Sequence, residues 1–313
     1  MDIAACIDKG YVMQTGVMAY SVCVNNPDVD TTFHIICDES VSDTDKNDLS
    51  ETICGFPNKH AVFYSIDSHI TDSFPRLTGL LPANSSYYRL FMTRILPDTI
   101  EKVLYLDGDI VVRKSLLPLW NSDLTDYAIA GVLDWCTEAP ELYDRLQYDP
   151  ALRYVNSGVL LINLRFWREN EVLPTFVEYI QNNYDHLILQ DQDVLNYVFR
   201  ERKLILPLEY NFQQDLLMTV FYHKYKDLIL STIKDPVILH FSGSIKPWEV
   251  YLRDPSPLRS SFYKYQDQTK WKGCRIERRS TLLKVKNFIA DNLRELRLKA
   301  PLPKLYVDVP PID

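Results

Sequence analysis

Residues 102–112 read KVLYLDGDIVV. An apolar run ending at Leu106 delivers two carboxylates, Asp107 and Asp109, with only Gly108 between them. A second apolar run, Ile110 to Val112, follows at once. Carboxylates rarely enter apolar surroundings unless paired or bound to metal. Two of them wedged between buried strands call for a cation, and their hard oxygens suit Mg²⁺ or Mn²⁺. Gly108 removes a side chain where a ligand approaches closely. The competing reading, two solvated acids in a turn, does not need apolar runs on both sides.

Other candidates stand at the ends of other apolar runs. Asp8 follows the run 2–7, and it fits a helix N-cap as well as it fits a ligand contact. Asp134 closes the run 127–133. His240 stands near the end of the run 236–241, beside Gly243 and Lys246, and is a candidate third metal ligand. Asn156, Ser157 and Gly158 open the long apolar run 154–164, where a polar group means a bulge or a ligand contact. Asp191, Gln192 and Asp193 precede a mostly apolar helix; they either cap it or point into a site. Arg89 suits a phosphate, or an ion pair.

These residues need elements to position them. Strands are expected at 2–7, 33–37, 61–66, 103–106 and 110–112, then at 127–133, 154–164, 203–208 and 236–241. Helices are expected at 11–26, 42–55, 85–96 and 189–199, with one continuous helix from Trp167 to Asn183. Ser42 and Asp45 are spaced for a capping box. Strand and helix alternation over the first 66 residues predicts a wound α/β sheet, whose ligands sit at the carboxyl ends of its strands.

The whole chain has 313 residues, enough for one large domain or two small ones. Its net charge of −8 argues against general nucleic-acid binding. There is no Gly-x-Gly-x-x-Gly after the first strand and no Gly-x-x-x-x-Gly-Lys-Ser/Thr, so neither a dinucleotide dehydrogenase nor a P-loop nucleotidase is supported. The six cysteines are scattered, without a Cys-x-x-Cys pair, which fits reduced thiols in the cytoplasm. No signal peptide and no run long enough to span a membrane is read.

Taken together, the Asp8 and Tyr11 region, YYRL at 87–90, LYLDGDIVV, NSGVLLINL at 156–164, QDQDVLN at 190–196 and HFSGSIKPW at 240–248 resemble glycosyltransferase family 8, in the family's order over roughly residues 1–270. The family is retaining and metal-dependent, and includes bacterial lipopolysaccharide galactosyl- and glucosyltransferases. The resemblance implies a GT-A fold with a mixed central sheet. It implies transfer of glucose or galactose from a UDP-sugar to a glycan or lipid-linked oligosaccharide. It implies Asp107, Asp109 and His240 as ligands of Mn²⁺, with Mg²⁺ as the alternative. Lys246 and the Gly243 backbone would hold phosphate. Asp8 would contact uracil or ribose, and Tyr11 and Gly108 would belong to the nucleotide-sugar site. Arg89, Asp134, Asn156, Asp191 and Gln192 would surround the donor sugar, with Gln192 nearest the anomeric carbon. Gly10 departs from the family, which often has a polar residue there, and a base contact from that side chain is lost.

Two other classes compete. Asp107 also fits the nucleophile of a haloacid-dehalogenase-type phosphatase, although that motif usually opens its fold and the later acid pair is missing. A non-catalytic sugar-nucleotide-binding protein would keep the fold but need not keep the metal residues.

The C-terminal segment differs in kind. Lys270 to Leu305 holds eleven Lys or Arg against three Asp or Glu, a net of +8, so the remainder carries −16. Ser280 to Leu298 has apolar residues at helical spacing. We read 271–313 as a separate basic amphipathic helix and tail. The helix, over 275–299, either contacts an anionic membrane at the inner face of the cell membrane or packs back on the 1–270 domain. From Pro301 the chain is expected to be extended or mobile.

Overall fold

A computed structural model describes residues 1–72, 74, 84–135, 140–250, 255–277, 289, 290, 292, 294, 300 and 304–309. Among these residues ten strands form two sheets: β1 (Asp2–Ile7), β2 (Thr31–Cys37), β3 (Lys59–Ser65), β4 (Lys102–Leu106), β5 (Ile110–Val112), β6 (Ile129–Leu133), β7 (Val155–Asn163), β8 (Lys203–Leu206), β9 (Phe212–Gln213) and β10 (Ile238–His240). The large sheet has the order β3-β2-β1-β4-β7-β6-β8, and the small one the order β5-β10-β9.

β1 is buried along almost its whole length, as a central parallel strand must be. Its alternate residues feed opposite faces: Ile3, Ala5 and Ile7 enter one core and Ala4 the other. Helices Val12–Asn25 and Asp43–Cys54 supply the first face. The Ser42–Asp45 capping box forms as expected. The segments 84–95 and 164–199 supply the second face.

The chain winds outward from β1 to β2 to β3, all parallel, then returns to lay β4 on the other side of β1. The strand order therefore reverses between β1 and β4, where wound sheets open a ligand crevice. β7 is antiparallel to both β4 and β6, so the sheet is mixed. That arrangement brings the start of β7 against the ends of β4 and β6. Between Gly131 and Leu133 the β6–β7 register jumps from Leu160 to Val155, so β7 bulges at Asn156–Gly158. Asp107, Gly108 and Asp109 are the short link by which β4 leaves the large sheet and β5 enters the small one.

Two expectations are corrected. The helix expected from Trp167 to Asn183 is two, Leu164–Glu169 and Val172–Asn182, because Glu171 between them is left-handed at φ 44°. Residues 84–91 form a 3-10 turn continued by the short helix Met92–Ile95. At 304–309 the chain is extended and packs on the core: Tyr306 is buried and bridges Met218, with Thr219 donating to the Leu305 carbonyl and Val307 to the Leu217 carbonyl.

The helix expected over Ser280–Leu298 falls mostly outside the described residues; Ile289, Ala290, Asn292 and Arg294 are helical. The segment is fastened just before it. Trp271 packs where a Gly16 side chain would stand, and Ile276 pairs with Trp248 and Val250.

Candidate active site

The site lies at the carboxyl ends of β1, β4 and β6, around the start of β7, in a cleft of about 510 Å³. That is a ligand-sized volume. Donor atoms of Asp107, Asp109 and His240 lie within 4.8 Å of one another. Among the described residues no other His, Cys, Asp or Glu triplet meets that condition. Register explains the grouping: His240 ends β10 opposite Ile110 of β5, one residue beyond Asp109. Gly158 makes room for the pair, since a side chain there would lie 2.4 Å from His240 Cε1 and 2.8 Å from Asp107 Oδ2.

Each of the three side chains is oriented. The Asp107 Oδ1 accepts from Tyr105 at 2.7 Å and from Arg89 Nη2 at 3.0 Å. Asp109 is buried, and its Oδ2 accepts from Lys246 Nζ at 2.6 Å. Burial would raise its carboxyl, but Lys246 and His240 hold it well below the usual range. Burial pulls His240 down, yet Asp109 and Asp107 keep it above its ordinary value. The His240 Nδ1 faces Asn211 Oδ1 at 2.9 Å, and Nε2 faces Asp109 at 3.4 Å. Two carboxylates and one imidazole fit a divalent cation that prefers oxygen. Lys246 also donates to the Phe241 carbonyl at 2.7 Å, which fixes its ammonium at the cluster.

Arg89 is not a surface group. It is buried, stacks 4.1 Å over the Tyr105 ring, and donates to the carbonyls of Ser157 and Ser86. Its Nε lies 3.2 Å from Asp191 Oδ2, but the Nε proton is directed to Ser86, so Asp191 has charge proximity without a hydrogen bond there. Burial pushes Asp191 up to about 6, against the pull of Arg89. Gln192 accepts from the Ser157 amide at 2.9 Å and donates to Asp134 at 3.0 Å. Asn156 donates to the same Asp134 oxygen at 3.1 Å. The helix carrying these groups, Asp191–Val198, is entered through Gln190 at φ 49°, a strained setting for a non-glycine residue beside a cleft.

The remaining sequence candidates distribute as follows. Tyr11 lines the cleft and packs edge-on against Trp248. A side chain at Gly108 would meet Thr15 Oγ1 at 2.8 Å and Tyr11, so packing against protein already requires the glycine. Gly243, at φ 74°, needs to be glycine for backbone reasons and because Asp215 fills the space beside it. Asp8 accepts from the Gly10 amide and from Ser85, at the cleft margin. Asp193 turns away: it takes a two-pronged ion pair from Arg145, plus Tyr154 and the amides of Ile188 and Leu189.

Sequence reasoning missed Tyr105, Asn211 and Asp215. Tyr105 was legible, because residues two apart on a strand share a face. Asp215 lines the cleft, and burial raises its carboxyl to about 6.

The comparisons agree with this geometry. A family model described as "Glycosyl transferase family 8" matches residues 2–251. General stress protein A of Bacillus subtilis (strain 168) is 25% identical, covering 87% of this chain and 94% of its own. The lipopolysaccharide 1,3-galactosyltransferase of Salmonella typhimurium is 26% identical, covering 88% and 80%. A crystal structure of the galactosyltransferase LgtC, in complex with donor and acceptor sugar analogs, superposes with a TM-score of 0.74 at 26% identity, covering 86% and 96%. Neither a phosphatase nor a binding protein without catalysis is favoured by these matches. The fold is that of the GT-A glycosyltransferases, and the chain belongs to glycosyltransferase family 8.

Proposed function

We propose that the enzyme transfers glucose or galactose from a UDP-sugar to a glycan acceptor, with retention of anomeric configuration, in the synthesis of lipopolysaccharide or another surface polysaccharide. The observation that carries this reading is the Asp107–Asp109–His240 cluster with Lys246 against it, opening onto a pocket of Asp134, Asn156, Asp191 and Gln192. The named relatives that act on lipopolysaccharide support the acceptor class.

Asp107, Asp109 and His240 would hold Mn²⁺, or else Mg²⁺, and the bound ion supplies positive charge to the departing diphosphate. Lys246 places a second charge there. Asp8, Tyr11, Gly108 and Gly243 would line the nucleotide end, and Arg89 keeps Asp107 turned toward the cluster. Asp134, Asn156 and Asp191 would bind sugar hydroxyls. Gln192 would lie nearest the anomeric carbon. Both its amide atoms are already engaged, which makes it a still poorer nucleophile and favours same-face attack by the acceptor. Proton NMR of UDP-glucose and UDP-galactose turnover with Mn²⁺ tests this: the α-hexose should appear first. With water standing in for the acceptor, the β-anomer first would exclude retention, and no binding of any UDP-sugar in Mn²⁺ would exclude the donor class.

We further propose that the basic 271–313 unit holds the enzyme at the anionic inner face of the cell membrane. Its charge supports this, and among the described residues no helix is long and apolar enough to cross a membrane. Sedimentation with anionic vesicles should fall as salt rises through the range where the Debye length shrinks below about 10 Å. Equal recovery with neutral vesicles would contradict it.

A further inference from the structure

We propose that Asn211 is a positioning residue for His240, and that Asn211 and Asn156 form a relay tying the metal end of the cleft to its sugar end. The proposal rests on the reading of the cleft as a metal-dependent UDP-sugar site.

Four side chains run in series. Asp134 Oδ2 lies 3.1 Å from Asn156 Nδ2, Asn156 Oδ1 lies 2.9 Å from Asn211 Nδ2, and Asn211 Oδ1 lies 2.9 Å from His240 Nδ1. Asn211 and the other three are buried. An amide has two ends, and here neither can be exchanged. Asp134 is a carboxylate and only accepts, so Asn156 turns its NH₂ toward it. The Gly158 backbone amide only donates, and it stands 3.0 Å from the other end of Asn156, which must be the carbonyl. That carbonyl obliges Asn211 to present its NH₂. The Asn211 carbonyl is left for His240, whose Nδ1 must then carry the proton. The lone pair of the neutral ring falls on Nε2, the nitrogen that faces Asp109. A ligating imidazole held through its other nitrogen by an oxygen acceptor is fixed in tautomer and ring angle, and that acceptor raises its basicity.

Asn211 itself does not line the cleft, so its influence passes through its neighbours. Asp134 also takes the Gln192 amide, so the residue nearest the proposed anomeric carbon shares the carboxylate that sets the polarity of the relay. The donor-sugar pocket and the metal ligand are thus one hydrogen-bonded unit, not two sites side by side.

Calorimetric titration of Mn²⁺, UDP and UDP-hexose into the wild type, Asn211→Leu and Asn211→Asp tests the relay. Asn211→Leu removes both bonds and should weaken Mn²⁺ binding by about 10- to 100-fold. Asn211→Asp keeps an acceptor for His240 and should hold Mn²⁺ within about threefold of wild type. It has no proton for Asn156, so its preference for UDP-hexose over UDP should drop by about tenfold. Wild-type Mn²⁺ affinity in the leucine variant would overturn the relay. So would an aspartate variant that loses Mn²⁺ binding by more than tenfold, which decides the matter alone if the leucine variant does not fold. A wild type that binds neither Mn²⁺ nor UDP would instead overturn the reading of the cleft.

Discussion

Asp191 and Asp215 hold their protons far more tightly than free aspartates do, each up to about 6, because both are buried in a cleft rich in carboxylates. For Asp215 this has a measurable consequence. The unfolded chain releases that proton near pH 4, the folded one near 6, so between those values the native state binds more protons. Stability must then fall as pH rises through that window. Asp215→Asn keeps the shape without the charge. It should melt above the metal-free wild type at pH 7, and the gap should shrink through pH 5 and close below about pH 4. A gap that is the same at both pH values would contradict the buried-carboxyl account. Asp109 is the counter-case, because burial acts on it too but Lys246 and His240 outweigh it. At this scale the sequence was informative where chemistry broke a pattern. Asp107 and Asp109 stood out because apolar runs enclosed them, and His240 because it ended one. Asn211 and Asp215 did not stand out: they lie in a polar stretch without periodicity, and only the pairing of β9 with β10 brings Asp215 to the cleft and Asn211 to His240.

The elements that read best were those with a buried face and a chemical boundary. β1, β5 and the capped helix Asp43–Cys54 fall where pattern and caps put them. The elements that read worst depend on distant contacts. Nothing in the helical spacing of 167–183 shows that Glu171 turns left-handed. The tail is the sharper case. A proline-rich end reads as loose, yet Tyr306 sits among residues of the main core beside Met218. Tyr306→Ala should cost about 3 kcal/mol, by analogy with other buried aromatic truncations. Denaturant unfolding measures it, and an unchanged midpoint would mean the tail does not hold the core.

On the scale of the molecule, function follows from one crossing. The chain leaves the large sheet at Leu106 and enters the small sheet at Ile110, and the three residues between carry the two acids. The large sheet supplies Asp134, Asn156 and Gly158 from one side, and the small sheet supplies His240 from the other. Neither sheet alone makes the site. This junction is expected to bind a nucleoside diphosphate through a divalent metal. Calorimetric titration with UDP, in Mn²⁺ and in EDTA, on wild type and Asp109→Asn tests it most directly. Binding to the wild type in Mn²⁺ only, and at least about tenfold weaker binding to the variant, is the predicted result. Equal affinity in Mn²⁺ and EDTA, or no binding of UDP in either, would contradict the account.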